Sequence, residues 1–151
     1  MGDGNNVCHS LLLGGAALGV GVRVGVPKGY EPSPTVVAAA KRRAAETGGS
    51  IEITHDPREA VRGADAVYTD VWASMGQEAE AEARREVFRP YQVNAALMAL
   101  AGEDAVFMHC LPAHRGEEVT DEVADSPSSI IFPQAENRLH AQKAVMLLLM
   151  G

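Results

Sequence analysis

A chain of 151 residues with 46% hydrophobic residues is sized for one domain that fills a core of its own. Its formal net charge of −7 argues against a surface that grips nucleic acid, which needs clustered Lys and Arg to displace counterions from phosphates. The densest basic cluster, Lys41-Arg42-Arg43, lies in an alanine-rich run and reads as the solvated face of a helix.

In chain order, Met1-Gly2-Asp3-Gly4 lacks the basic segment and apolar core of a signal peptide. Gly2-Asp3-Gly4-Asn5-Asn6 reads as a turn from a strand into a helix running from about Asn6 to Leu18, although no strand precedes it. A strand is expected at Val22 to Val26 and a helix from Ser33 to Thr47, with Pro27-Lys28-Gly29 and Pro32-Ser33-Pro34 marking the strand exit and the helix entry. A strand at Ile51 to Thr54, a short helix from Pro57 to Arg62 and a strand at Ala66 to Thr69 follow. Helical segments then fall between Glu78 and Ala101, before a strand at Ala105 to His109 and a short helix near Thr120 to Ala124. A last strand is expected at Ser129 to Phe132 and a closing helix from Gln134 to about Leu149.

β-Branched apolar runs alternating with alanine-rich helical segments are the sequence form of repeated strand-helix units. The expected fold is α/β, a doubly wound, Rossmann-like parallel sheet flanked by helices. In such a sheet the first strand is usually central. A chain that opens on the turn is therefore expected to lack that strand and to be a piece of a longer protein, with residues 1–151 forming one domain. No apolar run reaches the roughly 18 residues that span a bilayer, so no membrane partner is expected. The two cysteines, Cys8 and Cys110, lack the spacing of a disulfide framework and point to a reducing, cytoplasmic setting.

Open parallel sheets bind ligands at the carboxyl ends of their strands, and three such ends carry polar motifs. At Gly2-Asp3-Gly4-Asn5-Asn6 the third glycine of a G-x-G-x-x-G fingerprint is replaced by Val7, which argues against a nicotinamide cofactor. Asn6 there either aims an amide at a ligand carboxylate, or Asn5 or Asn6 caps the helix. In Thr69-Asp70-Val71-Trp72-Ala73-Ser74-Met75-Gly76, Asp70 can seat an ammonium group in a partly desolvated cleft. The plain alternative is again a helix cap, with Trp72 and Met75 as packing.

The third motif, His109-Cys110-Leu111-Pro112-Ala113-His114-Arg115-Gly116-Glu117-Glu118, follows the strand through Phe107. Adjacent strand residues face opposite ways, so His109 and Cys110 are badly placed as a nucleophile and base pair. The same set lacks the ligand spacing of a zinc site, and no metal is expected. At the closing helix, Gln134-Ala135-Glu136-Asn137-Arg138 places an arginine in what reads as the first turn, where free N–H groups favour an anion. The alternative is a surface ion pair from Arg138 to Glu117 or Glu118.

Taken in order, Gly2 through Asn6, Asp70 through Gly76, His109-Cys110-Leu111-Pro112 and Glu136-Asn137-Arg138 resemble the ornithine carbamoyltransferases over essentially the whole chain. Pro27 through Pro32 and Asp121-Glu122-Val123 also look like that family. Aspartate carbamoyltransferases, which share the design, have Pro where this chain has Cys110 and lack the Ser-Met-Gly loop. Putrescine and acetylornithine carbamoyltransferases are closer rivals, but a Ser-Met-Gly loop beside a strand-end Asp suits an acceptor with a free α-ammonium.

The resemblance implies carbamoyl transfer from carbamoyl phosphate to the δ-amine of L-ornithine, giving L-citrulline and phosphate with no covalent enzyme intermediate and no cofactor. It implies that Asn6, Asp70, Ser74 and Met75 bind ornithine: Asp70 and Ser74 on the α-ammonium side, Asn6 near the carboxylate, Met75 through its backbone. Cys110 would lie near the attacking amine, where it helps shed a proton. Cys110 and Leu111 would offer backbone carbonyls to the carbamoyl NH2, and Arg138 would meet carbamoyl phosphate. The resemblance further implies an amino-terminal half with a Ser-Thr-Arg-Thr phosphate motif, absent from this sequence, and a homotrimer built largely by that half. The chain alone is expected to have negligible activity. The rival class is a non-catalytic amino-acid-binding module.

Overall fold

The computed structural model describes residues 1–73 and 81–151. Helix α1 (Asn6–Ala17) leads through strand β1 (Gly21–Gly25) and helix α2 (Pro34–Thr47) to β2 (Ser50–Thr54). Helix α3 (Pro57–Val61) leads to β3 (Ala66–Thr69); α4 (Ala81–Phe88), a 3-10 turn at Arg89–Tyr91 and α5 (Ala95–Met98) precede β4 (Val106–His109). The one-turn α6 (Asp121–Ala124) and the long α7 (Ile131–Met150) complete the order. The boundaries follow local chemistry. Asp56 caps α3 by accepting from the Arg58 N–H, Asn94 caps α5, and Gly48, with φ 85°, closes α2 in a left-handed turn that a side chain would strain.

β1 pairs with β2 in parallel, from Gly21 opposite Ser50 to Gly25 opposite Thr54, and β3 pairs with β4, from Ala66 opposite Val106 to Thr69 opposite His109. The fold is thus α/β with short parallel sheets flanked by helices, and the two ladders are separate two-stranded sheets. Met1 and Gly2 lie between their ends: the Met1 nitrogen donates to Tyr68 O at 2.8 Å and the Gly2 N–H to Gly25 O at 3.0 Å.

Each ladder has its own core. Leu12 and Ala16 of α1 and Ala40 and Ala44 of α2 close over Val24, Val26 and Ile51, while Val67 and Phe107 are covered by Val61, Val93, Leu97, Val119, Val123 and Ile131. Full burial of a side chain such as Phe107 is worth about 2–3 kcal/mol, so each ladder is tied to the helices over it, and α3 joins the two because it contacts β1 and β2 while its Val61 packs with Val67 and Phe107.

Two sequence expectations need correction. The strand expected at Ser129 to Phe132 is one isolated bridge, Ser129 to Phe107, with the Ile130 N–H donating to Phe107 O. Ile131 already begins α7, because Pro133 brings a helical φ and lacks only an N–H that a first turn leaves unbonded. Arg138 consequently lies two turns into α7, and the argument for an anion at a helix start does not apply to it. The helical start expected at Glu78 lies outside the described residues, as does all of 74–80. Among the described residues no helix is long and apolar enough to cross a membrane.

Candidate active site

The parallel register builds the site. Thr69 and His109 are partners at the ends of β3 and β4, so the residues that follow, Asp70 and Cys110, emerge side by side. The Cys110 Sγ donates to Asp70 Oδ1 at 3.0 Å. Asn5 reaches the same carboxylate from the start of α1, with Nδ2 donating to Oδ2 at 3.1 Å. Its amide orientation is set by the helix, since Asn5 Oδ1 accepts from the Val7 and Cys8 N–H groups at 3.0 and 3.1 Å. The Val71 N–H donates to Asp70 Oδ1 at 2.8 Å and fixes the carboxylate plane.

This cluster is half-buried, and its electrostatics follow. Burial pushes the Cys110 thiol up to about 11, helped by its hydrogen bond to Asp70 and the carboxylate charge. The group is therefore a neutral donor at ordinary pH. Tyr68, two residues before Asp70 on β3 and so on the same strand face, has its phenol pushed upward by burial and then by Cys110. Gln134 of α7 joins both strands: Nε2 donates to the Tyr68 hydroxyl at 3.4 Å, and Oε1 accepts from the His109 N–H at 3.1 Å.

His109 faces away from Cys110, as strand alternation requires. Its Nδ1 accepts from the Leu111 N–H at 2.8 Å, so Nε2 carries the hydrogen and donates to Glu118 Oε1 at 3.1 Å. Both side chains are fully buried. The same Glu118 oxygen accepts from the His114 N–H at 2.6 Å. This pair holds Leu111 at φ 57°, a left-handed conformation that costs a non-glycine residue roughly 1–2 kcal/mol. Leu111 and Cys110 thus present their backbone in a shape that buried groups enforce.

The family model for the Asp/Orn binding domain of aspartate/ornithine carbamoyltransferase matches residues 1–149. The chain belongs to that family. It is 65% identical over all 151 residues to an ornithine carbamoyltransferase of Thermococcus kodakarensis, covering 48% of that protein. The solved ornithine carbamoyltransferase from Pyrococcus furiosus superposes with a TM-score of 0.92 at 64% identity, over 96% of this chain and 46% of the other. A solved acetylornithine transcarbamylase complexed with acetylcitrulline also superposes, with a TM-score of 0.83 at 36% identity, over 95% of this chain and 44% of the other. The chain spans about half the length of the curated relatives it matches.

Within this carbamoyltransferase domain the residues singled out from sequence are not all gathered. Asp70, Cys110 and Leu111 stand together. Asn6, the first residue of α1, is exposed, with its carbonyl accepting from Ser10 Oγ at 3.1 Å; the cap is Asn5. Ser74 and Met75 lie outside the described residues. Arg138 is exposed on α7, and the carboxylates weighed as its partners are held by others, Glu117 in an ion pair with Arg85 at 2.8 Å and Glu118 in a hydrogen bond with His109. His114, Glu117 and Glu118 bring ligand atoms within 4.8 Å of one another, with Glu117 already paired to Arg85 and Glu118 bonded to His109 and the His114 N–H.

Sequence reasoning missed Tyr68, Gln134, the His109–Glu118 pair and a buried ion pair between Arg84 and Asp3 at 2.9 Å. Arg84 also lies 5.0 Å from the centre of the Tyr30 ring, clamping α4 over the opening turn. Only Tyr68 had a signal, its two-residue spacing from Asp70. The other pairings span nine to 81 residues and have no local signature.

Proposed function

We propose that this chain is the acceptor-binding half of an ornithine carbamoyltransferase, seating L-ornithine so that its δ-amine attacks carbamoyl phosphate. A nitrogen–carbon bond forms, the carbon–oxygen bond to phosphate breaks, the proton lost by the amine leaves on the departing phosphate, and L-citrulline and phosphate result. The observation that carries this reading is the Asp70 carboxylate at a strand end, held by Asn5 and Cys110 at 3.1 and 3.0 Å. Such an anion, partly desolvated and fixed by its neighbours, suits an α-ammonium. In this reading Ser74 joins Asp70 at the α-ammonium, Asn6 lies near the carboxylate, Met75 binds ornithine through its backbone, and Cys110, Leu111 and Arg138 meet the carbamoyl phosphate.

A thiol held near 11 is a poor nucleophile, which fits direct attack by the amine with no covalent intermediate. The free δ-amine has an ordinary pKa of about 10. Cys110 therefore orients that amine through sulfur lone pairs while its S–H stays bonded to Asp70, rather than acting as a thiolate base. An acetylated α-nitrogen carries no charge for Asp70 to balance, so N-acetylornithine is the discriminating control.

Calorimetry of the chain with L-ornithine, N-acetylornithine, putrescine and a nicotinamide dinucleotide tests the reading. Ornithine is expected to bind best, and Asp70→Asn to weaken it at least tenfold. Preference for N-acetylornithine or the dinucleotide would overturn it. Citrulline formation is expected only once a carbamoyl-phosphate-binding half is supplied, because Arg138 alone is a meagre site for a dianionic phosphate. A purely amino-acid-binding role is the second reading, favoured by the exposed position of Arg138; it predicts ornithine binding with no citrulline even then.

A further inference from the structure

Strand alternation sorts the end of the second ladder into two faces. Val67, Thr69, Phe107 and His109 are buried, while Tyr68, Asp70, Met108 and Cys110 are half-buried and share the opposite face. Tyr68 is the register partner of Met108. Cys110, two residues further along, is therefore its diagonal neighbour and within reach of an aromatic side chain. The proposed chemistry engages Asp70 and Cys110 but not Tyr68.

The direction of every hydrogen in this group follows from one backbone donor. The His109 N–H can only donate, and it donates at 3.1 Å to Gln134 Oε1, so the other arm of that amide is Nε2. Nε2 in turn can only donate, and its acceptor is the Tyr68 hydroxyl at 3.4 Å. A phenol that accepts there has its single proton left for a second neighbour, which is the Cys110 sulfur. Burial and Asp70 raise the thiol's pKa, and the Tyr68 hydroxyl pulls it back; the phenol itself is raised by burial and then by Cys110. At the far end an ionised Asp70 only accepts, so the Cys110 S–H points to it at 3.0 Å. Asn5 and Val71 donate to the same carboxylate. Hydrogens thus run one way, from Gln134 through Tyr68 and Cys110 to Asp70.

We propose that Tyr68, held by Gln134, is a positioning residue for the acceptor amine: by donating to one lone pair of the Cys110 sulfur it keeps the S–H on Asp70 and leaves the other lone pair for the amine. A thiol is a weak donor and a weak acceptor, and alone it would swing about its Cβ–Sγ bond. Contacts on both sides of the sulfur stop that rotation. This role rests on the acceptor-binding reading of the site, but the order of the hydrogens does not.

Alkylation by iodoacetamide at about pH 8.5, the pKa of a free thiol, tests that order without any ligand, with the Cys110 and Cys8 peptides followed by mass spectrometry. Only the thiolate reacts, and among the described residues the titratable groups against the Cys110 sulfur are Asp70 and Tyr68. Tyr68→Phe keeps the ring and its burial but removes a donor that stabilises the thiolate, so the Cys110 rate, taken relative to Cys8, should fall at least threefold. Gln134→Met frees the hydroxyl to turn and should slow the reaction by less, whereas Asp70→Asn should speed it at least threefold. A damaged cleft would relieve burial and speed alkylation, so an unchanged or faster rate in Tyr68→Phe overturns the proposal. Should that variant not fold, an unchanged or faster rate in Gln134→Met does the same. Calorimetry then compares L-ornithine with L-norvaline, the same carbon chain without the δ-amine. Tyr68→Phe should weaken ornithine at least threefold and leave norvaline within twofold; equal losses would overturn the positioning role. Wild-type binding of neither amino acid would overturn the acceptor reading and the role for the amine with it, while the alkylation rates would still decide the order of the hydrogens.

Discussion

Cys110 owes its character to one neighbour and to burial. Its thiol is held near 11 against an ordinary value of 9.0, with burial the larger cause and Asp70 the second. Alkylation by iodoacetamide, followed at this residue by mass spectrometry, should therefore rise with a midpoint near pH 11. Asp70→Asn should move that midpoint down without reaching 9, since burial remains; a wild-type midpoint at or below 9 would refute the assignment. The folded chain binds this proton more tightly than the unfolded chain, so the stabilisation is full below about pH 9 and is lost as pH rises toward 11. Glu118 shows the opposite kind of dependence, on a partner rather than on solvent. Its Oε1 serves both the His109 Nε2–H and the His114 N–H. Glu118→Ala leaves two buried donors unmet and should cost about 2–4 kcal/mol, whereas Glu118→Gln keeps an acceptor and should cost less than half of that. Urea unfolding midpoints compared at equal m-values decide it. At this scale the sequence was informative where the chemistry is local. Asp70 and Cys110 were identifiable as strand-end groups, and their contact follows from register, but nothing near Cys110 in the chain marks Glu118 as the residue that shapes Leu111.

The elements were legible wherever apolar period and capping agreed. β3 spans Ala66–Thr69 as read from its run of four residues, and α1 begins at Asn6 because Asn5 caps it. The failure at Ser129 to Phe132 has a physical source: three apolar residues in a row carry no period, and Pro133 suits a helix start as well as a strand end. The opening turn and α1 offer a paired test of what glycine does in this fold. A Cβ on Gly4 would lie 2.3 Å from Pro32 N and 2.5 Å from Tyr30 O, both backbone atoms that cannot swing aside. Gly4→Ala should destabilise by about 3 kcal/mol or more. A Cβ on Gly14, in the middle of α1, meets nothing within 4 Å, so Gly14→Ala should stabilise by about 0.5–1 kcal/mol through helix propensity. Thermal unfolding of the two variants should bracket the parent, and a stabilised Gly4→Ala would mean the turn is not packed as described.

At the scale of the molecule, stability is unevenly shared. The doubly wound plan was readable from alternating elements; the fate of α7 was not readable, because its apolar residues mark a helix without saying what covers it. Ile131 is the one buried residue of that helix, while Leu147, Leu148, Leu149 and Met150 are each at least 72% exposed. Those side chains gain no burial in this chain, and a helix without a packed face depends on marginal intrinsic propensity. The last three turns should therefore open independently of the two cores. Deleting residues 139–151 should leave the unfolding free energy unchanged within about 0.5 kcal/mol, since the buried Ile131 and the Gln134 bond to His109 both lie before the cut, and should reduce concentration-dependent association by removing an exposed apolar patch. Amides beyond Leu139 should exchange within seconds to minutes, while those of Val24 and Phe107 persist far longer. A loss of several kcal/mol on deletion would show that the tail packs on the body, and that the domain is held together from its end as well as from its two ladders.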